Sequence, residues 1–268
     1  MSPPPVTLSV VCLLVFAWRV HPQLPLIVAG NRDEFHDRPT AAAGWWSDRD
    51  GVLAGRDLRA GGSWLGVNRD GRIAVVTNYR EPERGTWGPR SRGELVVDHL
   101  TSCVPAGQWM DALGHRKADY AGFNLIVGDG DRLHYLTNRG NDRRDLEPGL
   151  YGLSNHRLDT PWPKVRAAKE GLRRRIEDDD VTSDSLFALL ADRRPAADAE
   201  LPATGVPRDW ERLLSSVFIV NPRYGTRAGT VVLVRGDGAV VFEERRFAAD
   251  GTHDDSSRFE LPGQTTVR

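Results

Sequence analysis

The chain has 268 residues, 40% hydrophobic and 27% charged, with a formal net charge of −1 at pH 7. That length and apolar content suffice for one sizeable core, while near-neutrality removes the electrostatic case for nucleic acid or an anionic membrane as the main partner. Two cysteines at unrelated positions, Cys12 and Cys103, make neither a disulfide framework nor a zinc site, and a cytoplasmic location is the default expectation.

Residues 1–11 hold three consecutive prolines and no charged side chain. Without a basic n-region or a small-residue cleavage site they make a poor secretion signal. The apolar stretch 6–18 is too short to span a bilayer as a helix, so no integral membrane segment is expected. The segment is read as a dispensable leader or a misassigned start: translation begins at Val11, or the leader is cut off, and Cys12 acquires a free α-amine.

Residues 12–18 and 26–29 are apolar runs that predict an antiparallel hairpin with Pro22 and Gln23 in the turn. If His21 pairs with Leu24, or Val20 with Pro25, Cys12 faces Asp33 across the ladder, where opposed side chains lie roughly 5 Å apart; a loop of odd length breaks that register. A terminal amine, with an unperturbed pKa of about 7.7 to 8.0, accepts a thiol proton near neutrality, making nucleophile and base one residue. Asp33 would orient or charge-balance the ammonium. The same residues also suit a structural role, as a core cysteine beside a capping Asp-Glu pair.

Further along, residues 40–46 are expected to form a loop, and 63–67 and 73–77 to form strands about the turn Asn68-Arg69-Asp70-Gly71. Helices are predicted over 91–100, where Ser91 and Glu94 have capping-box spacing, and over 108–113. Strands follow at 123–127, 133–136 and 150–153, then helices at 163–176, opened by Pro163, and at 183–191. Residues 193–208 read as a loop. Strands at 217–220, 230–234 and 239–243 precede a polar, frayed tail. Helices clustered between sets of antiparallel strands imply sheets covered by helices, in a single domain over 12–247 with 248–268 as tail.

Asn78, Tyr79 and Asn155 close predicted strands, where an amide can be aimed at a pocket or can simply form a turn. One oxyanion donor in a water-excluded site is worth roughly 3 to 4 kcal/mol. Arg227, in Tyr224-Gly225-Thr226-Arg227, suits a bidentate grip on a carboxylate or a place on the surface. The run Arg173-Arg174-Arg175 reads as a solvated helix end, and no Gly-rich phosphate loop follows a strand.

Several blocks together carry a resemblance: Cys-Leu-Leu-Val-Phe from Cys12, Asn31-Arg32-Asp33-Glu34-Phe35 with Arg38-Pro39, Gly62-Ser63-Trp64-Leu65-Gly66, Thr77-Asn78, Gly152-Leu153-Ser154-Asn155, and the run from Leu158 through Trp162-Pro163-Lys164. In this order, and ending with Tyr224-Gly225-Thr226-Arg227, they resemble the NRDE family, the transport-and-Golgi-organisation family, from Cys12 to about Arg235. Its members characteristically begin Met-Cys. That family in turn resembles N-terminal nucleophile hydrolases of the penicillin V acylase and bile salt hydrolase type, which implies an α+β fold, a four-layer αββα sandwich.

Carried over residue by residue, the resemblance makes Cys12 the nucleophile, Asp33 its aspartate, Asn78 or Tyr79 the first oxyanion residue and Asn155 the second donor. The acylase arginine lies three residues before the aspartate, where this chain has Gly30; Arg32, two residues further along the same strand face, is the replacement candidate. Asn31, Trp64, His156 and Arg227 are the candidate substrate-binding residues. The expected activity is that of a cysteine amidohydrolase on an amide or related acyl bond of a small molecule. The competing expectation is a non-catalytic carrier in intracellular haem trafficking or acyl-CoA and lipid binding. No cofactor or metal is expected, haem entering only as cargo with His156 or Cys12 as axial candidates.

Overall fold

The computed structural model describes residues 12–81, 88–140 and 142–263; the expected leader and the last five positions of the expected tail lie outside the described residues. In chain order the elements are β1 (Cys12–Trp18), β2 (Leu26–Phe35), β3 (Thr40–Trp45), β4 (Val52–Asp57), β5 (Leu65–Asn68), β6 (Ile73–Asn78), α1 (Gly93–Leu100) and α2 (Ala106–Gly114). Next come β7 (Phe123–Gly128), β8 (Leu133–Thr137), β9 (Asp142–Asp145), β10 (Gly149–Leu153), α3 (Pro163–Glu177), α4 (Ser183–Leu190), α5 (Arg208–Leu213), β11 (Tyr224–Val234), β12 (Val240–Phe247) and β13 (His253–Leu261). Among the described residues the strands form two antiparallel sheets, one ordered β10-β1-β2-β11-β12-β13 and the other running β3 to β9 in sequence.

The apolar pattern of β1 explains its central place. Cys12, Leu14, Phe16 and Trp18 pack toward the second sheet, against Leu53, Trp64, Leu65 and Tyr135. Leu13, Val15 and Ala17 face the other way, onto Val165 and Leu172 of α3 and Leu186 and Leu190 of α4. A strand covered on both faces needs a continuous apolar run rather than an alternating one. The second sheet's outer face is covered in turn by Leu95, Leu100, Trp109 and Met110 of α1 and α2. The fold is thus a mixed α/β architecture of sheets flanked by helices. In the β5–β6 turn, the Asn68 side-chain oxygen accepts from the backbone N–H groups of Asp70 and Arg72 at 2.9 Å each, and Gly71 supplies the φ of 78° that the reversal requires.

The β1–β2 register differs from the expected one. Trp18 pairs with Leu26 and Cys12 with Arg32, because the connection 19–25 has an odd number of residues and closes with Arg19 N–H on the Pro25 carbonyl at 2.7 Å, Arg19 taking φ of 50°. A one-residue slip exchanges the faces of a strand. Cys12 therefore shares a face with Arg32, and Asp33 lies with Asn31 on the helix side.

Four other segments depart from expectation. Residues 40–45 form edge strand β3, whose small residues Ala41, Ala42 and Ala43 give no strong alternation; its pairing is interrupted between Ala41 and Gly44. Residues 217–219 are buried and Val220 is exposed, and the segment is not a strand: the Phe218 N–H donates to the Asp192 carbonyl and the Ile219 N–H to Thr226 Oγ1, so these donors are spent outside any ladder. The expected loop 193–208 runs directly into the short helix α5. The tail also contributes β13, paired to β12 from Val240–Leu261 to Phe247–His253. An edge strand needs one pairing partner and tolerates charged, solvated side chains, which is why His253–Leu261 does not read as a strand.

Candidate active site

At one end of the space between the sheets lies a cavity of about 610 Å³, bounded by Cys12, Arg32, Trp64, Asn78, Arg92 and Arg227 among others. Cys12, the first residue of β1, is 2% exposed and forms part of its wall. Burial pushes its thiol up to about 12, helped by the Asp33 and Glu34 carboxylates and opposed by Arg32 and by a hydrogen bond to the Asp33 backbone. A thiol in that state is protonated at neutral pH and needs a base before it can attack.

Gly30 explains how Arg32 takes its position. A Cβ at residue 30 would lie 2.7 Å from the Leu13 carbonyl oxygen and 3.1 Å from Trp64 Cη2, so the Trp64 ring closes the space where a side chain would begin. Arg32, two residues along on the same face, stands directly opposite Cys12. Its guanidinium donates to Glu34 at 3.3 Å, and Arg38 pairs with Asp57 at 2.7 Å and Glu34 at 3.6 Å. The Asn-Arg-Asp-Glu block thereby sends alternate residues to opposite faces.

Asn31 belongs to the helix side. Its amide donates to the carbonyls of Leu190 and Val217 at 2.9 Å each, tying β2 to the end of α4 rather than facing the cavity as a substrate-binding residue would. Asp33 is fully buried; Thr226 Oγ1 donates to its Oδ1 at 2.6 Å, and Oδ2 has no hydrogen-bond partner among the described residues. Lys164, near the start of α3 and 2% exposed, likewise has an unpartnered Nζ. Burial raises Asp33 to about 7 against the opposing pull of Lys164, and burial lowers Lys164 to about 8 against that of Asp33. Two oppositely charged groups thus sit behind the thiol with hydrogen-bonding capacity to spare.

The strand-end residues separate as well. Asn78 lines the cavity, whereas Asn155 is fully buried and its Nδ2 donates to the Asn78 carbonyl at 2.9 Å. Leu14 pairs with Leu153, so two further steps of that register lead from Leu153 to Asn155 and from Leu14 to Cys12. Ser154 Oγ fixes the corner by donating to the Cys12 carbonyl at 2.9 Å. The position of Asn155 therefore suits holding Asn78 in place rather than meeting substrate itself. Tyr79 donates its backbone N–H to the Gly122 carbonyl at 2.8 Å, and its ring lies 5.0 Å from that of His156. His156 bonds Thr160 Oγ1 and stacks toward Trp162, outside the cavity wall.

Arg227 reaches the cavity through a β-bulge. Thr226 pairs with Asp33 and Ala228 with Arg32, leaving Arg227 as the extra residue. Bulges re-aim a side chain in this way. One terminal nitrogen donates to the carbonyls of Phe35, His36 and Arg38 at 3.0 to 3.3 Å, which fixes the guanidinium's direction.

The haem-cargo expectation fits this cavity poorly. Its described wall holds no histidine, methionine or tyrosine, leaving Cys12 as the axial candidate there, and arginines dominate its charged lining. No cluster of three or more His, Cys, Asp or Glu side chains suited to a metal occurs among the described residues. Nor is any described helix long and apolar enough to cross a membrane.

Four residues near the site carry no distinct sequence signal for it. Glu34 lies in the Asn-Arg-Asp-Glu block and Lys164 in the Trp-Pro-Lys block, but nothing in the spacing says that the Lys164 ammonium is buried. Arg92 and Arg246 carry no signal in a chain with many surface arginines.

The site is thus a buried cysteine heading a strand, faced by arginine and backed by a buried carboxylate, in a mixed α/β fold of sheets flanked by helices. The model of the family described as Transport and Golgi organisation 2 matches residues 11–249, and the chain belongs to that family. It is 35% identical over 276 residues to the human Transport and Golgi organization protein 2 homolog, covering 95% of this chain and 100% of the relative. It is 38% identical over 256 residues to the Bos taurus homolog, covering 87% and 92%. Among solved structures it is similar in fold to a mutant of conjugated bile acid hydrolase from Clostridium perfringens, with a TM-score of 0.54, 9% identity, and coverage of 94% of this chain and 92% of that one.

Proposed function

We propose that the protein is an N-terminal cysteine nucleophile hydrolase acting on an amide or related acyl bond of a small molecule, with the four-layer αββα arrangement of that class. The observation that carries the proposal is the rung on which Cys12 begins β1 at the cavity wall directly opposite Arg32. Loss of residues 1–11 would leave the α-amine beside the thiol, with Asp33 Oδ2 as an open acceptor behind it.

In the cycle the amine takes the Sγ proton, and Sγ attacks the carbonyl carbon, turning the carbonyl oxygen into an oxyanion. The Asn78 amide, held through its carbonyl by Asn155, donates to that oxyanion. Collapse breaks the carbon–nitrogen bond, and the departing amine takes the proton from the α-ammonium. Water then gives a proton to the free α-amine as it attacks the thioester; cleavage of the carbon–sulfur bond releases the acid, and the ammonium returns the proton to Sγ. Arg32 supports the thiolate, and Asp33 balances the ammonium with Lys164 alongside.

The test is the intact mass and N-terminal sequence of protein purified from its own host, followed by mass spectrometry after incubation with activated amides and thioesters. A terminal Cys12 and an acyl adduct lost in Cys12→Ala are expected. Retention of residues before Cys12, or turnover unchanged in Cys12→Ala, would sink the nucleophile assignment. Ligand retained by Cys12→Ala without turnover in the parent protein would instead favour a carrier using the same cavity.

A further inference from the structure

Charge along one line of the first sheet points to what the ligand carries. Cys12 pairs with Arg32, Arg32 with Ala228, and Ala228 with Arg246, so a single rung crosses β1, β2, β11 and β12. The bulge inserts Arg227 beside Ala228 on this rung. With strands about 4.8 Å apart, the rung places Arg246 about 14 Å from Cys12, with Arg32 and Arg227 between them. All four residues line the cavity.

Half of this positive charge is left unneutralised: Arg32, Arg38, Arg56 and Arg90 have carboxylate partners, whereas Arg59, Arg92, Arg227 and Arg246 have none among the described residues. Eight arginines line the cavity against the acids Glu34, Asp57 and Glu244. Glu34 is engaged by Arg32 and Arg38, and Asp57 by Arg38. Glu244 is buried, accepts from the Ala43 N–H at 2.8 Å, and is raised to about 6 by desolvation. Arg227 and Arg246 have no carboxylate within ion-pair distance among the described residues, and the two repel each other and Arg32 enough to help lower the Arg227 pKa after burial. On the facing wall Arg92, just before α1, donates to the Gly122 carbonyl at 3.1 Å and has no described carboxylate partner either. Cations held together in a partly desolvated cavity demand an anion.

We propose that the rung is an anion track: the ligand carries an oxyanion group, phosphate or carboxylate, that lies along Arg227 and Arg246 while its acyl carbon meets Cys12. The placement of the acyl carbon rests on the hydrolase reading above; the anion site does not. The Arg227 guanidinium, fixed by three carbonyls, is already oriented, so the anion meets an ordered donor.

The experiment is calorimetric titration of the full chain at low salt with tripolyphosphate and, separately, with tricarballylate, alongside the neutral control triethylene glycol. Binding of at least one anion and none of the glycol is expected, weakened at least tenfold in Arg246→Gln and in Arg92→Gln. It should remain unchanged in Arg173→Gln, a surface position on α3. The tighter of the two anions identifies phosphate or carboxylate as the group. Cys12→Ala should keep the affinity, so loss of turnover there with anion binding intact separates this site from the catalytic reading. No binding by either anion, or equal binding by wild type and both cavity variants with unchanged melting temperatures, would overturn the track.

Discussion

Replacing Lys164 by methionine tests the buried charges behind the thiol. The substitution keeps the aliphatic stem of this α3 residue and removes only the ammonium, leaving the fully buried Asp33 carboxyl with the Thr226 hydroxyl as its side-chain donor and without the Lys164 charge nearby. The two groups are not in ion-pair contact, but each feels the other's charge, and removing the cation leaves the buried carboxylate without that compensation. The loss should depend on pH. Burial raises Asp33 from 3.8 to about 7, so in the parent protein the native state holds a proton that the unfolded chain has released, and stability falls as pH rises through that window.

Without Lys164 the carboxyl keeps its proton to higher pH, and the decline continues above 7 at about 1.4 kcal/mol per unit. Lys164 itself, lowered from 10.5 to about 8, makes the parent gain stability between about 8 and 10.5, because there the unfolded chain binds the extra proton. Both effects enlarge the deficit of Lys164→Met as pH rises. Urea unfolding at pH 5.5 and 8.5 should therefore show a small deficit at the lower pH and one larger by about 2 kcal/mol or more at the higher. Asp33→Asn combined with Lys164→Met should remove that difference. A deficit equal at both pH values, or unchanged by the second substitution, would show that the two groups do not sense each other.

Iodoacetamide at pH 7.5 should modify the exposed Cys103 well before the buried Cys12 in a chain that retains residues before Cys12; peptide mapping reads the order, and the Cys12 rate should rise at least tenfold in protein that begins at Cys12. Asn31→Ala and Arg32→Ala, neighbours in one motif, should fail differently. The first loses two buried hydrogen bonds to backbone and about 2 kcal/mol of stability, read as a lower melting temperature with turnover per folded molecule kept. The second strips a largely buried guanidinium from the buried Glu34, so it should lower stability by roughly 1 to 3 kcal/mol and, unlike the first, also reduce turnover per folded molecule.

The elements legible from sequence were those whose local pattern matched their burial. β1 is apolar on both faces, the Asn68 to Gly71 turn has its own hydrogen bonds, and α3 opens with Pro163 at its first turn. At α1 half of the expected box forms: the Ser91 N–H donates to the Glu94 carboxylate at 3.2 Å, but Arg92 occupies the cap position. β3 and β13 stayed hidden because edge strands need neither an apolar face nor strong propensity.

The candidate site was legible as a set of residues but not as a geometry. Cys12, Arg32, Asp33, Trp64, Asn78 and Arg227 all lie in the sequence blocks that carry the family resemblance, which name candidates without saying where they point. Which face each occupies depended on one loop: seven residues between Trp18 and Leu26 instead of an even number, enough to put Arg32 rather than Asp33 opposite the thiol. The arginine row, the bulge at Arg227 and the burial of Lys164 arise from strands and helices far apart in sequence. Residue order thus determined the family blocks and most local elements, whereas cross-strand register and long-range packing alone decided which charges share the cavity, because side-chain direction in a sheet is set by its pairing partner and not by its neighbours in the chain.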